Sequence, residues 1–271
     1  MDSRPIGVFD SGVGGLTVFR EISRALPGEP LVYLGDSARV PYGTKSPETI
    51  QRYAREAAQF LLERDVKMLV IACNTATAAA LPILARELPI PVIGVVEPGA
   101  RAAVAVTKGR VGVIATEGTV RSRAYTRAIQ AIDRGIEVIE QPCPLFVSLA
   151  EEGWAGTNVA LEVAEIYLAP LLQDGIDTLV LGCTHYPILR STIEQVTGEG
   201  VAIVDSAETT AHAVEAALRD SAICANETNP KYQFLVTDAA ERFLRIAETF
   251  LDHPVDHLDL VDIARDQPVA L

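Results

Sequence analysis

The segments IACNTAT (residues 71–77) and VLGCTHYP (residues 180–187) decide how this sequence is interpreted. In each segment an unbroken apolar run ends in a cysteine, Cys73 or Cys183, and small polar residues follow. Such apolar runs are typical of strands that are buried on both faces of a parallel sheet. Ligands of open α/β sheets bind beyond the carboxyl ends of the strands, so both cysteines are predicted to lie where a ligand binds.

Similar apolar runs recur along the chain and alternate with helical patterns. Between the second and third runs, residues 46–65 predict a helix with Ser46 as N-cap and Pro47 at the first helical position. The alternation predicts an α/β fold with mainly parallel strands. The predicted strands are IGVFD (6–10), LVYLGD (31–36), MLVIAC (68–73), PVIGVV (91–96), RVGVIAT (110–116), IEVIEQ (136–141), TLVLGC (178–183), AIVDS (202–206) and YQFLVT (232–237).

An internal comparison indicates that the fold is duplicated. The segment 6–12 aligns with 111–118 at an offset of 105 (7 to 112), and the cysteine segments align at an offset of 110 (73 to 183). The sequence therefore predicts two similar, pseudo-symmetric open-sheet α/β domains. Residues after Asp205 hold two helical patterns around YQFLVT, followed by an acidic tail with one further edge strand, too little for a third domain. The predicted domains are 1–97 plus 208–271, and 98–207.

Composition excludes several classes of protein. The 271 residues are 49% hydrophobic and 22% charged, as in folded globular proteins. A formal net charge of −13 disfavours binding to nucleic acid or to an anionic membrane surface. No apolar run approaches the roughly 20 residues that span a bilayer, and the N-terminus lacks the pattern of a signal peptide. Four cysteines in a chain of this length favour a reducing compartment, so we expect a cytoplasmic protein.

The two matched cysteines are the strongest candidates for chemistry. A lone cysteine at a strand end is usually a small hydrophobic residue, but two in matched polar contexts favour a functional role. A helix that begins just after the sulfur would favour the thiolate over the thiol. Cys143 and Cys224 lack this context and are interpreted as structural. Cys183 and His185 supply too few ligands for a metal site, and no C-x-x-C pair is present.

Other candidates surround these segments. The glycine-rich turn DSGVGG (10–15) follows the first strand and precedes a helix, a place where backbone N–H groups bind anions. It matches neither a dinucleotide fingerprint nor a Walker loop, so a carboxylate ligand is favoured. Asp10 is a candidate for cation recognition or proton transfer, and His185 for stabilising a Cys183 thiolate. Glu152, directly before Gly153, is a candidate acid at the cleft.

Six segments together resemble the glutamate racemase family, and the resemblance runs from about residue 6 to about residue 250. The paired C-N-T and C-T-H-Y stretches are specific to this group. The segments are FDSGVGGLTV (9–18), YLGDSARVPYG (33–43), ACNTAT (72–77), VIGVVEPG (92–99), CPLFVSLAEEG (143–153) and LGCTHYPIL (181–189).

The resemblance implies an enzyme that interconverts L- and D-glutamate without a cofactor and has its active site in the cleft between the two domains. It also implies that the enzyme supplies D-glutamate for the bacterial cell wall. Cys73 and Cys183 match the two catalytic acid/base cysteines. Asp10, Glu152 and His185 match residues that assist them; Glu151 is adjacent, but the residue directly before the glycine is the closer match. A homodimer is the default expectation. The segments that match the substrate-binding ones are Asp10-Ser11, Tyr42-Gly43, Asn74-Thr75 and Thr184-His185.

Inverting a carbon atom requires removal of its proton on one face and delivery of a proton on the other, which explains a need for two cysteines. The resemblance implies that Cys73 takes the proton from D-glutamate and Cys183 from L-glutamate. Three alternatives remain at this point. They are a racemase acting on aspartate or on several amino acids, a thiol hydrolase or lyase with one nucleophilic cysteine, and a non-catalytic amino-acid-binding protein.

Overall fold

The protein was analysed as a computed structural model that describes residues 2–255 and 257–263. Strands and helices alternate along these residues, as the apolar runs predict. The strands are β1 Ile6–Asp10, β2 Leu31–Gly35, β3 Met68–Ile71, β4 Val92–Gly94, β5 Arg110–Ala115, β6 Glu137–Pro142, β7 Thr178–Gly182, β8 Ala202–Asp205, β9 Tyr232–Val236 and β10 Leu258–Leu260. The helices are α1 Leu16–Ala25, α2 Pro47–Leu62, α3 Asn74–Glu87, α4 Val96–Val106, α5 Glu117–Ser122, α6 Ala124–Ile132, α7 Leu145–Glu151, α8 Asn158–Gln173, α9 Arg190–Thr197, α10 Ser206–Asp220 and α11 Ala240–Leu251.

The strands form two parallel sheets. The larger sheet has the order β10-β9-β2-β1-β3-β4, and the smaller has the order β6-β5-β7-β8. Every strand pair in both sheets is parallel. The central strands β1, β3 and β7 are buried at every position, which explains their unbroken apolar sequences. The prediction of a two-sheet α/β fold with parallel strands is confirmed.

The duplicated topology is visible in the strand order. In each unit the first strand lies between the second and the third, and the fourth pairs with the third. The register repeats as well: Gly7 pairs with Leu69 in the larger sheet, and Gly112 pairs with Leu179 in the smaller. These pairs reproduce the sequence offsets of 105 (7 to 112) and 110 (69 to 179). The alignment of the two halves therefore holds residue by residue in the central strands.

The end of the chain returns to the larger sheet. Strand β9 pairs with β2, and β10 pairs with β9 at the edge, as the sequence predicts. Helices α10 and α11 pack against α1. A buried ion pair secures this return, because Lys67 Nζ lies 2.6 Å from Glu29 Oε2 and also donates to the carbonyl of Ile223 at 2.9 Å. The other Glu29 oxygen accepts from the N–H of Ala225 at 2.6 Å.

Two local details differ from the sequence interpretation. The predicted strand 91–96 is observed only as β4, because α4 already begins at Val96. The predicted domain limits at 97/98 and 207/208 consequently fall within α4 and α10, and they stay predictions. The predicted start of α2 is confirmed, since the Ser46 side chain accepts a hydrogen bond from the N–H of Thr49. Among the described residues no helix is long and apolar enough to cross a membrane.

Candidate active site

The two matched cysteines end equivalent strands of the two sheets. Cys73 follows β3, and Cys183 follows β7. Their side chains are almost equally buried, at 6% and 5% exposure. The charge of a Cys183 thiolate also makes a small contribution to raising the pKa of Cys73, so the two thiols are electrostatically coupled. The edge at which open sheets bind ligands therefore carries one thiol from each half of the molecule.

Cys73 lies at the N-terminus of a helix. It is the N-cap of α3, and its sulfur accepts a hydrogen bond from the N–H of Ala76 at 3.4 Å. The thiol is 3.6 Å from Ser11 Oγ, which comes from the loop after β1. Burial and the nearby Asp10 carboxylate raise the pKa of Cys73 to about 12, against the smaller opposing effect of these hydrogen bonds. Without a ligand, Cys73 is therefore a protonated thiol at neutral pH.

Cys183 has a different neighbour. A short 3₁₀ turn, Tyr186–Leu189, follows it instead of an α-helix, and the sulfur lies 3.8 Å from His185 Nδ1. His185 Nε2 is 3.0 Å from Glu151 Oε1. Burial lowers the pKa of His185, but its bonds to Cys183 and Glu151 outweigh burial and raise that pKa to about 10. A protonated imidazole beside the sulfur stabilises negative charge on Cys183.

The structure brings Glu151 to His185 and leaves Glu152 outside this contact. Helix α7 ends at Glu151, and Glu152 opens the turn that Gly153 completes at a φ of +72°. Successive helical residues point about 100° apart, and of these two carboxylates it is Glu151 that contacts His185. The Glu152 side chain is 61% exposed, and its Oε1 lies 3.9 Å from Arg242. The acid role assigned to Glu152 stays a prediction, whereas Glu151 contacts a site residue.

The glycine-rich turn joins the two halves. A β-carbon at Gly14 would overlap the side chains of both Thr184 and His185, so only glycine permits this approach. Thr17, in the first turn of α1, donates from its hydroxyl to the carbonyl of Thr184 at 2.9 Å. The turn therefore places Asp10, at the end of β1, close to the Cys183 loop.

Asp10 is fully buried. Its Oδ1 accepts from the N–H of Gly12 at 2.9 Å, and no described residue hydrogen-bonds to its Oδ2. Burial raises the pKa of Asp10, and the charge of His185 and the bond from Gly12 partly offset this effect. The side chain thus offers a buried oxygen that can hold a proton or accept one from a ligand.

The remaining predicted residues also lie at the junction of the halves. Asn74 Oδ1 accepts from the hydroxyl of Tyr125 at 2.7 Å, while its Nδ2 is buried and has no hydrogen-bond partner among residues 2–255 and 257–263. Thr75 Oγ1 lies 2.8 Å from Thr116 Oγ1 and 3.2 Å from Thr119 Oγ1. Asn74 therefore presents a free donor one residue beyond Cys73.

The loop that carries Tyr42 and Gly43 is held by buried polar contacts. The Tyr42 hydroxyl donates to Asp36 Oδ2, and Asp36 also binds Arg39 Nε at 2.7 Å. A β-carbon at Gly43 would lie 3.0 Å from Thr116 Cβ, so this loop too meets the second half.

Sequence reasoning missed Thr116, Asp36 and Tyr125. Thr116 could have been found, because it occupies the position of Ser11 at the offset of 105. Asp36 and Tyr125 carry no comparable signal, since their roles depend on which loops pack together.

The site can be compared with known proteins at this point. The sequence pattern of the Asp/Glu/Hydantoin racemase family matches residues 6–214. The chain belongs to this racemase family. A curated racemase relative, glutamate racemase from Geobacter metallireducens, is 54% identical over 253 residues, which cover 93% of this chain and 94% of the relative.

Solved racemase structures agree in fold along nearly the whole chain. Glutamate racemase isoform RacE1 from Bacillus anthracis has a TM-score of 0.94 and 44% identity, covering 97% of this chain and 98% of that one. Glutamate racemase from Francisella tularensis, solved in complex with D-glutamate, has a TM-score of 0.92 and 40% identity, with 97% and 99% covered. Among the residues that the structure describes, no three His, Cys, Asp or Glu side chains are placed to bind a metal ion together.

Proposed function

We propose that the protein interconverts L- and D-glutamate without a cofactor and so supplies D-glutamate for peptidoglycan. The observation that carries this proposal is the pair of buried thiols, Cys73 and Cys183, at equivalent strand ends of two parallel sheets. Membership of the racemase family supports it, as does a relative named glutamate racemase that is 54% identical. We further propose a cytoplasmic location, which the four free cysteines support, and a homodimer, the commonest assembly of soluble proteins.

The chemistry requires an acid and a base on opposite faces of the α-carbon. In the proposed scheme Cys183 removes the proton from L-glutamate while Cys73 protonates the other face, and the roles exchange for D-glutamate. The ligand-free site matches the first direction. Burial and Asp10 keep Cys73 protonated, with a pKa of about 12, whereas the imidazole of His185, 3.8 Å from Cys183, stabilises a thiolate there.

The barrier to removing a weakly acidic α-proton must be lowered by the surroundings. Both cysteines are more than nine-tenths buried, so bulk water is largely excluded from them. Donors around the substrate carboxylate stabilise the charge that develops as the proton leaves. The unpartnered Asn74 Nδ2 is a suitable donor for a carboxylate, and the unpartnered Asp10 Oδ2 is a suitable acceptor for an ammonium group.

The proposed substrate contacts include Asn74 Nδ2 as a donor and Asp10 Oδ2 as an acceptor, together with further groups around the two cysteines. They place an amino acid between the cysteines, with hydroxyl and backbone groups from both halves around its two carboxylates. A solved relative that contains D-glutamate, at 40% identity, supports glutamate as the ligand. The proposed substrate-binding residues are Asp10, Ser11, Tyr42, Gly43, Asn74, Thr75, Thr184 and His185.

The first experiment follows purified protein with L-glutamate in D2O and no added cofactor. Optical rotation reports inversion, and mass spectrometry reports deuterium at the α-carbon. Loss of rotation with deuterium gain is the expected result. Binding of glutamate with neither change would overturn the racemase proposal in favour of a binding protein. A parallel assay with L-aspartate separates a glutamate enzyme, with much faster turnover of glutamate, from a broad-specificity one.

A further inference from the structure

Arg242 joins the Cys183 side of the site to the end of the chain. Its Nη2 lies 2.8 Å from Glu151 Oε2, while the other oxygen of the same carboxylate lies 3.0 Å from His185 Nε2. His185 Nδ1 in turn lies 3.8 Å from the Cys183 sulfur. Four side chains from three separate segments therefore form a continuous row, from thiol through imidazole and carboxylate to guanidinium.

Helix α11 touches this row at a second point. The ring of Phe250 packs edge-on against the ring of His185, with centroids 5.4 Å apart and an interplanar angle of 81°. The two contacts lie eight residues apart on one helix (242 to 250), so α11 bounds both His185 and its carboxylate partner. The helix belongs to the returning segment, which packs on α1 beside the glycine-rich turn.

A cavity beside Glu151 leaves room for its carboxylate to rotate away from His185. The cavity measures about 120 Å³, enough for several water molecules, and its lining includes Glu151, Arg242, Val13 and Phe243. A carboxylate next to such a space can rotate away from its imidazole partner unless a second group holds it. Arg242 can supply this second group, because its Nη2 lies 2.8 Å from Glu151 Oε2 and 3.9 Å from Glu152 Oε1.

We propose that Arg242 is a positioning residue for the Cys183 side of the site: its guanidinium fixes Glu151, and Glu151 fixes the ring of His185. This inference rests on the proposed racemase function. Arg242 contacts none of the reacting atoms, so its effect on catalysis passes through Glu151 and His185. The side chain is 55% exposed, and exposed ion pairs contribute little to stability. Its loss should therefore impair catalysis while leaving the fold intact.

The charge of Arg242 also affects the ionisation of Glu151. Burial raises the pKa of Glu151, but the hydrogen bond to His185 and the charge of Arg242 outweigh it and lower that pKa. His185 and Arg242 contact Glu151, Glu152 follows it in the sequence, and the charge of Glu151 also acts on Asp10. Removing the guanidinium should therefore raise the pH at which Glu151 loses its charge.

The test compares Arg242→Gln with Arg242→Lys and with Arg245→Gln, an exposed control on the same helix. For Arg242→Gln we expect kcat/KM to fall about tenfold, since residues in one hydrogen-bonded network are coupled at this level. The loss must be equal for L- and D-glutamate, because enantiomers have equal free energy. The acid limb of the pH profile should move up by about half a pH unit or more. Arg242→Lys should restore that limb, and the melting temperature should match the control.

A double variant separates a positioning role from an independent one. Arg242→Gln added to Glu151→Gln should cause no further loss of kcat/KM, since the guanidinium acts only through that carboxylate. A further tenfold loss in the double variant would overturn the inference. So would an Arg242→Gln enzyme with the activity and pH profile of Arg245→Gln. A wild-type protein that racemises neither enantiomer would instead overturn the proposed function and this inference with it.

Discussion

Cys73 and Cys183 occupy the same position in two copies of one topology, yet their surroundings differ. Both follow the third strand of their unit, and both are almost buried. Cys73 caps a helix and touches a serine hydroxyl, whereas Cys183 precedes a 3₁₀ turn and touches an imidazole. At the matched offsets, the first half has Asp10, Ser11, Asn74 and Thr75 where the second has Ala115, Thr116, Thr184 and His185.

The difference teaches how a duplicated fold can hold two unlike groups. Strand order and register repeat, so the backbone presents two thiols at equivalent places. The residues beside each thiol do not repeat, so the two sulfurs have different surroundings. One half keeps its sulfur protonated beside a buried carboxylate, and the other stabilises negative charge with His185. In the proposed scheme, these few side chains let one sulfur act as an acid and the other as a base.

The largest effect is expected from removing either sulfur. Cys73→Ala and Cys183→Ala should each lower racemisation by at least about 10³-fold, because each turnover needs an acid and a base. Each variant should still exchange the α-proton of one glutamate enantiomer for deuterium, without inverting it. Cys183→Ala should exchange only D-glutamate, and Cys73→Ala only L-glutamate, as measured by mass spectrometry in D2O. Normal turnover in either variant would contradict the two-base scheme and the contrast between the halves.

The next effect concerns the neighbours of each sulfur. His185→Gln and Asp10→Asn should each lower kcat by about 10²-fold, a typical contribution of a group assisting proton transfer. Their effects on thiol alkylation should be opposite. His185→Gln should slow iodoacetamide labelling of Cys183, whereas Asp10→Asn should speed labelling of Cys73, because the carboxylate raises the Cys73 pKa. Site-resolved mass spectrometry checks this, with buried Cys143 as an internal control.

A smaller effect separates two adjacent carboxylates. Glu151→Gln should lower kcat/KM about tenfold, because it removes a charge 3.0 Å from His185 Nε2. Glu152→Gln, at 61% exposure, should change it by less than about twofold. Steady-state assays of the two matched variants decide between them. The reverse ranking would restore the acid role predicted for Glu152 from the sequence.

The smallest effect is expected on the pH dependence of the melting temperature. The pKa of His185 is raised from an ordinary 6.5 to about 10 by Cys183 and Glu151, which overcome burial. The stabilisation from its proton is therefore complete below about pH 6.5 and is lost as the pH rises to about 10. The melting temperature of the wild type should fall by a few degrees relative to His185→Gln across this range. If the melting temperatures of the two proteins changed equally with pH, the pairing of His185 with Glu151 would be contradicted.

The sequence predicted the strands and their duplication well, because buried parallel strands are continuous apolar runs. It overran β4, since Val95 and Val96 are apolar residues that begin a helix and not residues of a strand. It located both cysteines because their strand-end context is local. It favoured Glu152 over Glu151, whereas the carboxylate that contacts His185 is Glu151, because the end of a helix is uncertain by one or two residues in sequence. Arg242 was out of reach, since its contact depends on packing between distant segments.

The order of strands in the larger sheet has a consequence for synthesis. All four strands of the smaller sheet have been synthesised once residue 205 has been made, whereas the larger sheet lacks β9 and β10 until residues 232–260 have been made. The larger sheet can therefore be completed only after β9 and β10 have been made, whereas the smaller sheet can form earlier. Because α11 brings Phe250 to His185, the enzyme acquires this contact of its site only after residue 250 has been made.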